Sequence, residues 1–250
     1  MNRYDPAGTD FWEIAGAVVG AAAGLGLGAA ITYSAAAFGG AGLTASITAA
    51  AAGLVVVGYI VANSSEAKGG WEEFARGFMI GLNAGLNYSI GSKVYGDVVG
   101  VALGVINLAA AIEPIAQNKF YQGILGWSNW LMPMSWLING LGAAWFALDD
   151  LFHLFTLKIS VDWETGTVML INRGTTSFDM GNLAFLGGEE DIGHETGHNL
   201  SLAAFGSIFH IVGAISEGTA DTNNAQSVYA EQLADSHKYP SGNNIPQWGE

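Results

Sequence analysis

The chain is constrained most by a stretch of 52 consecutive uncharged residues between Glu13 and Glu66. Inside it, segments 15–38 and 43–62 are each long enough to cross the bilayer core as a helix, which takes about 20 residues. The glycine-rich segment 39–42 lies between them and predicts the turn of a helical hairpin. Hydropathy does not separate a membrane-inserting hairpin from helices buried in a soluble bundle. Both interpretations therefore stay open.

Small residues form a ridge in the first of these segments. Gly20, Gly24, Gly26 and Gly28 lie among alanines. In membranes, such ridges allow helices to approach each other closely. We expect the region 13–150 to be an apolar, Gly/Ala-rich helical region, with membrane contact through residues 15–63.

The pattern changes near residue 150. Segments 156–162 and 167–172 alternate apolar and polar residues around the turn 164–166, which predicts a β-hairpin. Segment 182–186 is a third candidate strand. Acidic residues at 189–191 are typical of a helix N-terminus, so we expect a helix from about Asp191 onward.

The sequence thus predicts an α+β fold. The apolar helical region precedes a zincin-like domain over 151–250, which would combine a small antiparallel sheet with the helix that begins near Asp191. A final helix is expected over 225–236, where good helix formers accumulate.

Charge and composition exclude several kinds of protein. The net charge is −14 at pH 7, whereas a nucleic-acid binder needs a positive footprint, so no nucleic-acid partner is expected. The chain has no cysteine, which excludes disulfides, thiolate zinc sites and cysteine nucleophiles.

The sequence His194-Glu195-Thr196-Gly197-His198 matches the HExxH pattern. On a helix, positions i and i+4 share one face, so both imidazoles can bind one Zn²⁺ ion. Glu195 then lies beside the metal and can act as the general base that takes a proton from the zinc-bound water. A metzincin would need glycine at 201 and histidine at 204, but the chain has Ser201 and Ala204.

A catalytic zinc needs a third protein ligand. Two E-x-x-x-D pairs follow the motif, Glu217 with Asp221 and Glu231 with Asp235. In a helix, such a Glu can bind zinc while the Asp orients a ligand histidine through its other ring nitrogen. We prefer Glu231, with Asp235 in that outer role, because the surrounding segment has the better helix formers.

HETGH followed by a downstream glutamate helix resembles the gluzincin, or thermolysin-like, zinc metallopeptidases over residues 155–237. The resemblance implies that His194, His198 and one glutamate hold zinc, with Glu195 as the base. It also implies that a β-hairpin edge binds the substrate as an added strand. Glu217 lies 19 residues after His198, a spacing similar to that of thermolysin, so Glu217 remains an alternative to Glu231.

Two further segments resemble parts of bacterial polymorphic toxins. Tyr4-Asp5-Pro6-Ala7-Gly8 is similar to the D-P-x-G segment that closes the core of Rhs and YD-repeat toxins. The segment 181–207 resembles a domain found at the C-terminal ends of such toxins. The resemblance implies that 1–12 is the end of an Rhs-type core, and that the protein is secreted and delivered into a target cell. It also implies a toxin shell or a cognate immunity protein as partner.

The sequence therefore predicts a zinc-dependent endopeptidase that acts as a secreted toxin effector on a protein substrate. The alternative is a membrane-inserting, pore-forming toxin, in which the helical hairpin is the active element and the zinc site is structural. A membrane-integral housekeeping peptidase is a third possibility.

Overall fold

The structure is a computed structural model that describes residues 12, 14–34, 36–37, 70–112, 115, 118–154, 156–171, 177–187 and 192–207. The predicted second arm of the hairpin, the predicted helix at 225–236 and the toxin-like segment 4–8 lie outside the described residues.

The helices of the described part account for most of its length. They are α1 (Ile14–Ser34), α2 (Gly70–Tyr95), α3 (Asp97–Leu108), α4 (Lys119–Ser128), α5 (Trp136–Phe152) and α6 (Ile192–Phe205), with short 3-10 helices at Ala109–Ala111 and Pro133–Ser135. Gly96, at φ +95°, separates α2 from α3. Such a φ strains residues that carry a Cβ atom. The side chain of Asn118 caps α4 by accepting the backbone N–H groups of Phe120 and Tyr121.

A four-stranded sheet follows α5. Its strands are β1 (Lys158–Asp162), β2 (Thr167–Ile171), β3 (Phe178–Met180) and β4 (Leu183–Phe185), in the order β1-β2-β4-β3. The predicted hairpin is confirmed, since β1 and β2 pair antiparallel from Lys158↔Ile171 to Asp162↔Thr167. With helices and a small sheet, the predicted α+β class is confirmed.

The sheet differs from the expected antiparallel one in a single pairing. β2 and β4 are parallel. The reason is that β3 occupies the outer position of the sheet, and a tight turn after β3 places β4 between β2 and β3. Gly181 allows that turn with φ +76°. The sequence prediction missed β3, whose three residues are too few to show an alternation.

Each face of the sheet is covered by a different helix. Leu170, Leu183 and Phe185 form a cluster with Trp130 and with Phe146 of α5 on one face. A separate apolar cluster lies on the other face and consists of Met169, Ile171, Ala184 and Leu186. The same face carries Thr167, which accepts a hydrogen bond from Asn199 of α6. Since alternate residues of a strand point to opposite faces, α5 and α6 lie on opposite sides of the sheet.

Helices α1 and α2 approach until their backbones touch. A Cβ atom at Gly16, Gly20 or Gly24 would overlap a carbonyl oxygen of α2, and one at Gly81 or Gly85 would overlap α1. The predicted ridge is therefore a packing surface with a spacing of four residues. Gly26 is not part of it, because no atom lies within 4 Å of a Cβ built there.

By length and composition, α1 is able to cross a membrane. Helix α4 and segment 133–152 are together also long and apolar enough to cross a membrane, although the two are bent by 71° relative to each other. Core helices of soluble proteins and signal sequences share this property. Two thirds of the apolar window in α1 is not buried, and Val18, Val19 and Tyr33 are at least half exposed.

The described residues on the two sides of residue 150 are joined by buried contacts. Ala203, Ala204 and Phe205, at the end of α6, belong to the same apolar core as residues of α1, α2, α3 and α4. The change of composition near residue 150 remains a predicted domain boundary. Helix α6, which follows that boundary in the sequence, packs against helices that precede it.

Candidate metal centre

The HETGH motif lies in the first turns of α6, as predicted. The helix begins at Ile192 and places Glu195 in its first turn. A carboxylate is favourable there, because the unpaired N–H groups carry partial positive charge. Glu195 is only 3% exposed, so its carboxylate faces the protein interior.

Three potential metal ligands come together at this point. One oxygen of Asp179, one oxygen of Glu195 and one ring nitrogen of His198 lie within 4.8 Å of one another. Asp179 and His198 are partly buried. Glu195 and His198 are three positions apart on α6, a spacing that places two side chains on the same face of a helix.

Asp179 reaches this point because of the register of the sheet. It is paired with Ala184, which is in turn paired with Met169. These three residues therefore share one face, the face covered by α6. Its neighbours Phe178 and Met180 point to the other face, where they pack in the cluster around Phe185.

The turn before β4 is fixed by the helices behind the sheet. The backbone N–H of Asn182 donates to Asn139 of α5 at 2.7 Å, and its side-chain amide donates to the Gly126 carbonyl of α4 at 2.9 Å. The Asn129 side chain also donates to Asn182. These buried bonds hold the β3–β4 hairpin, and with it Asp179, at one place relative to the helices.

Helix α6 is attached to the sheet directly beside the cluster. Asn199 follows His198 and donates through its amide to the Thr167 hydroxyl at 2.8 Å. Thr167 is also hydrogen-bonded to Thr165, whose hydroxyl donates to Asp162 at 2.5 Å. This chain of bonds connects α6 to the turn of the β1–β2 hairpin.

The other end of α6 is held by asparagines from two more helices. The side-chain amides of Asn83 in α2 and Asn107 in α3 both donate to the carbonyls of Ala203 and Ala204, at 2.9–3.2 Å. The last carbonyls of a helix have no partner within the helix, and here the asparagines satisfy them. Asn87 donates to both of these asparagines.

The donor set of the cluster fits a zinc ion. Imidazole nitrogen and carboxylate oxygen are common zinc ligands, bound at about 2.0–2.2 Å. In a tetrahedral site, ligand atoms are then about 3.4 Å apart. The three ligand atoms of the cluster lie within 4.8 Å of one another, which is wider than this spacing by at most about 1.4 Å. The described residues thus contain a candidate metal site.

The structure brings together only some of the predicted site residues. Glu195 and His198 both belong to the cluster. His194 lies on α6 one turn before His198, and its side chain is outside the description. Glu231 and Asp235, like the alternative Glu217 and Asp221, lie outside the described residues, so the choice of the third ligand stays a prediction. Asp179 was missed, because the three residues of β3 are too few to show an alternation that would mark the strand.

Comparison of the chain with protein-family models, with curated proteins and with solved structures finds no match.

Proposed function

We propose that the protein is a zinc-dependent peptidase whose active site is the N-terminal part of α6. The observation that carries this proposal is the convergence of Glu195, His198 and Asp179 at the HETGH motif, beside an outer strand of the described sheet.

The residues of the motif would have different roles, metal binding and proton transfer. His194 and His198 would hold the ion. Zinc supplies a Lewis acid that polarises a peptide carbonyl and lowers the pKa of a water molecule. Glu195 accepts a proton from the attacking water and delivers it to the leaving amine. The near-complete burial of Glu195 keeps bulk water away from this proton transfer.

The position of β3 supports a peptide as substrate. β3 is an outer strand of the described sheet and carries Asp179. An extended peptide that pairs with an outer strand is held by main-chain hydrogen bonds, which suits substrates of varied sequence. A peptide added along β3 would pair with the strand that carries Asp179, whose carboxylate lies close to Glu195 and His198.

The toxin-effector role is part of the same proposal. It is supported by the resemblance of segments 4–8 and 181–207 to parts of polymorphic toxins, and by the apolar, exposed surface of α1. Secretion, delivery into a target cell and a toxin shell or immunity protein as partner follow from that resemblance.

The test of the peptidase is Glu195→Gln in the full chain. The variant keeps the shape of the side chain but cannot accept the proton. We expect cleavage of an unfolded protein such as casein to fall by about 10²–10⁴-fold, the usual contribution of a general base. Zinc content, measured in the same samples, identifies variants that have merely lost the ion. Cleavage at the wild-type rate with zinc bound would reject the mechanism.

The exposed surface of α1 favours a second candidate function, permeabilisation of membranes. Val18, Val19 and Tyr33 are presented to the surroundings rather than to α2. Leakage of a dye from liposomes tests it, using wild type and Glu195→Gln. If both release dye equally and are equally toxic to cells, the helical region is the active element. If neither releases dye, this second function is rejected.

A further inference from the structure

We propose that Asp179 is a ligand of the metal, so that the ion joins the outer strand β3 to helix α6. The inference shares with the proposed function the metal at the HETGH helix, but it does not require peptide hydrolysis. It also removes the need for a downstream glutamate as the third ligand.

The sheet presents Asp179 to the helix across a small neighbour. Ala184, its partner in the register, is fully buried and ends at its Cβ atom. A larger side chain at this position would fill the space beside the Asp179 carboxylate. Ala184 instead leaves this part of the helix–sheet interface to Asp179, Glu195 and His198, whose ligand atoms all lie within 4.8 Å.

A bound cation would stabilise the Asp179 carboxylate at this place. Asp179 stands between Phe178 and Met180, which pack in the apolar cluster around Phe185 on the other face of the sheet. The nearby Glu195 is a second carboxylate, and two carboxylates at close range repel each other. A divalent ion shared between them turns this repulsion into attraction, and an imidazole completes a set that zinc prefers.

Asp179 belongs to both ligand sets that α6 allows. With His194 and His198, the ligands expected from the sequence, Asp179 would give two imidazoles and one carboxylate, the set of a catalytic zinc site with an open position, and Glu195 would stay available as the base. With Glu195 and His198 it gives the cluster as the structure shows it. Metal binding therefore depends on Asp179 in either case.

The position of Asp179 on β3 also links the metal to the strand that is proposed to bind the substrate. A metal held by Asp179 and His198 fixes β3 against α6, and β3 is the strand along which the proposed peptide would pair. The ion would thus add a direct link between β3 and α6 to the hydrogen bonds that already hold the β3–β4 hairpin.

The first experiment measures zinc affinity by competition with a chromophoric chelator, using the full chain. We expect Asp179→Asn to weaken binding by at least about 10–100-fold, the loss seen when residues that only support a ligand are removed. Asp97→Asn is the matched control, because it removes the same charge from an exposed position at the start of α3. Unchanged zinc affinity in Asp179→Asn would overturn the proposal.

The second experiment does not depend on affinity. Because the chain has no cysteine, Asp179→Cys introduces a single thiol. When this variant is loaded with Co²⁺, we expect a thiolate-to-cobalt charge-transfer band in the near ultraviolet, and none in Asp97→Cys. Bound Co²⁺ without this band would show that position 179 does not contact the ion.

The two proposals fail separately. Loss of zinc affinity in Asp179→Asn, together with the cobalt band, establishes the ligand even if the metal-loaded wild type hydrolyses no peptide. That last result would reject only the proposed peptidase. If Glu231→Gln weakens zinc binding and Asp179→Asn does not, the ligand proposal fails while the peptidase stands.

Discussion

Buried asparagine side chains are the residues that fix helix α6 in the molecule. Asn199 bonds to Thr167 next to the metal cluster, and Asn83 and Asn107 bond to the carbonyls at the far end. All of them are almost completely buried. A buried amide is tolerated only when it is hydrogen-bonded, so these residues specify one position of the helix rather than a range of positions.

We predict that Asn107→Leu lowers the free energy of unfolding by about 1–3 kcal/mol, because buried hydrogen bonds are lost while Asn83 alone still donates to the same carbonyls. The change removes the donor to the Ala203 and Ala204 carbonyls and the acceptor of one Asn87 hydrogen bond. Urea unfolding monitored by circular dichroism measures the difference.

The control for this prediction is Val105→Ala on the same helix. Val105 is 60% exposed, and substitutions at such sites change stability by only about 0.5 kcal/mol. Equal stability of Asn107→Leu and wild type would show that the asparagine bonds contribute no net stability to the fold.

At the scale of elements, the close contact of α1 and α2 depends on the absence of side chains. Their glycines allow backbone atoms to meet, which brings many weak contacts into range at once. This contact is available both in water and in lipid. It explains how α1 can pack against α2 while two thirds of its apolar window is not buried.

We predict opposite effects for two glycine substitutions in α1. Gly20→Ala would overlap the Phe78 carbonyl of α2 and separate the helices, at a cost of about 1–3 kcal/mol in unfolding free energy. Gly26→Ala meets no atom within 4 Å and raises helix propensity, so it should stabilise the protein by up to about 1 kcal/mol. Chemical unfolding of both variants in the same buffer checks this.

The pair is informative because both changes add one methyl group to the same helix. If Gly20→Ala is as stable as Gly26→Ala, the close approach of α1 and α2 is not required for folding.

At the scale of the whole molecule, α6 connects the helical and the sheet-containing parts. Its N-terminal turns carry the metal cluster, and its C-terminal end lies in the core formed by α1, α2, α3 and α4. A ligand at one end of this helix therefore stabilises an element on which both parts depend.

We predict that zinc raises the thermal unfolding midpoint of the whole chain and that a chelator reverses the effect. At a free zinc concentration of about 100 times the dissociation constant, the gain is about 2.7 kcal/mol. Differential scanning calorimetry with zinc, and with EDTA, measures it. Asp97→Asn should respond as wild type does, and Asp179→Asn should show a much smaller shift. A midpoint independent of zinc would contradict the coupling.

The sequence by itself determined the features that arise from local patterns. Alternation gave the β1–β2 hairpin, apolar length gave α1, and acids before an HETGH string marked the start of α6. Each of these depends on neighbours within a few residues, and local propensity and side-chain periodicity act over that distance.

Only the tertiary structure decided the parallel pairing of β2 with β4, the position of β3 at the outside of the sheet, and the meeting of Asp179 with Glu195 and His198. Asp179 is 16 residues from Glu195 in the chain, and no periodicity relates them. They meet because buried bonds from α4 and α5 fix the β3–β4 turn while asparagines fix α6. Contacts of this kind depend on how the elements pack together, and local sequence patterns do not record that packing.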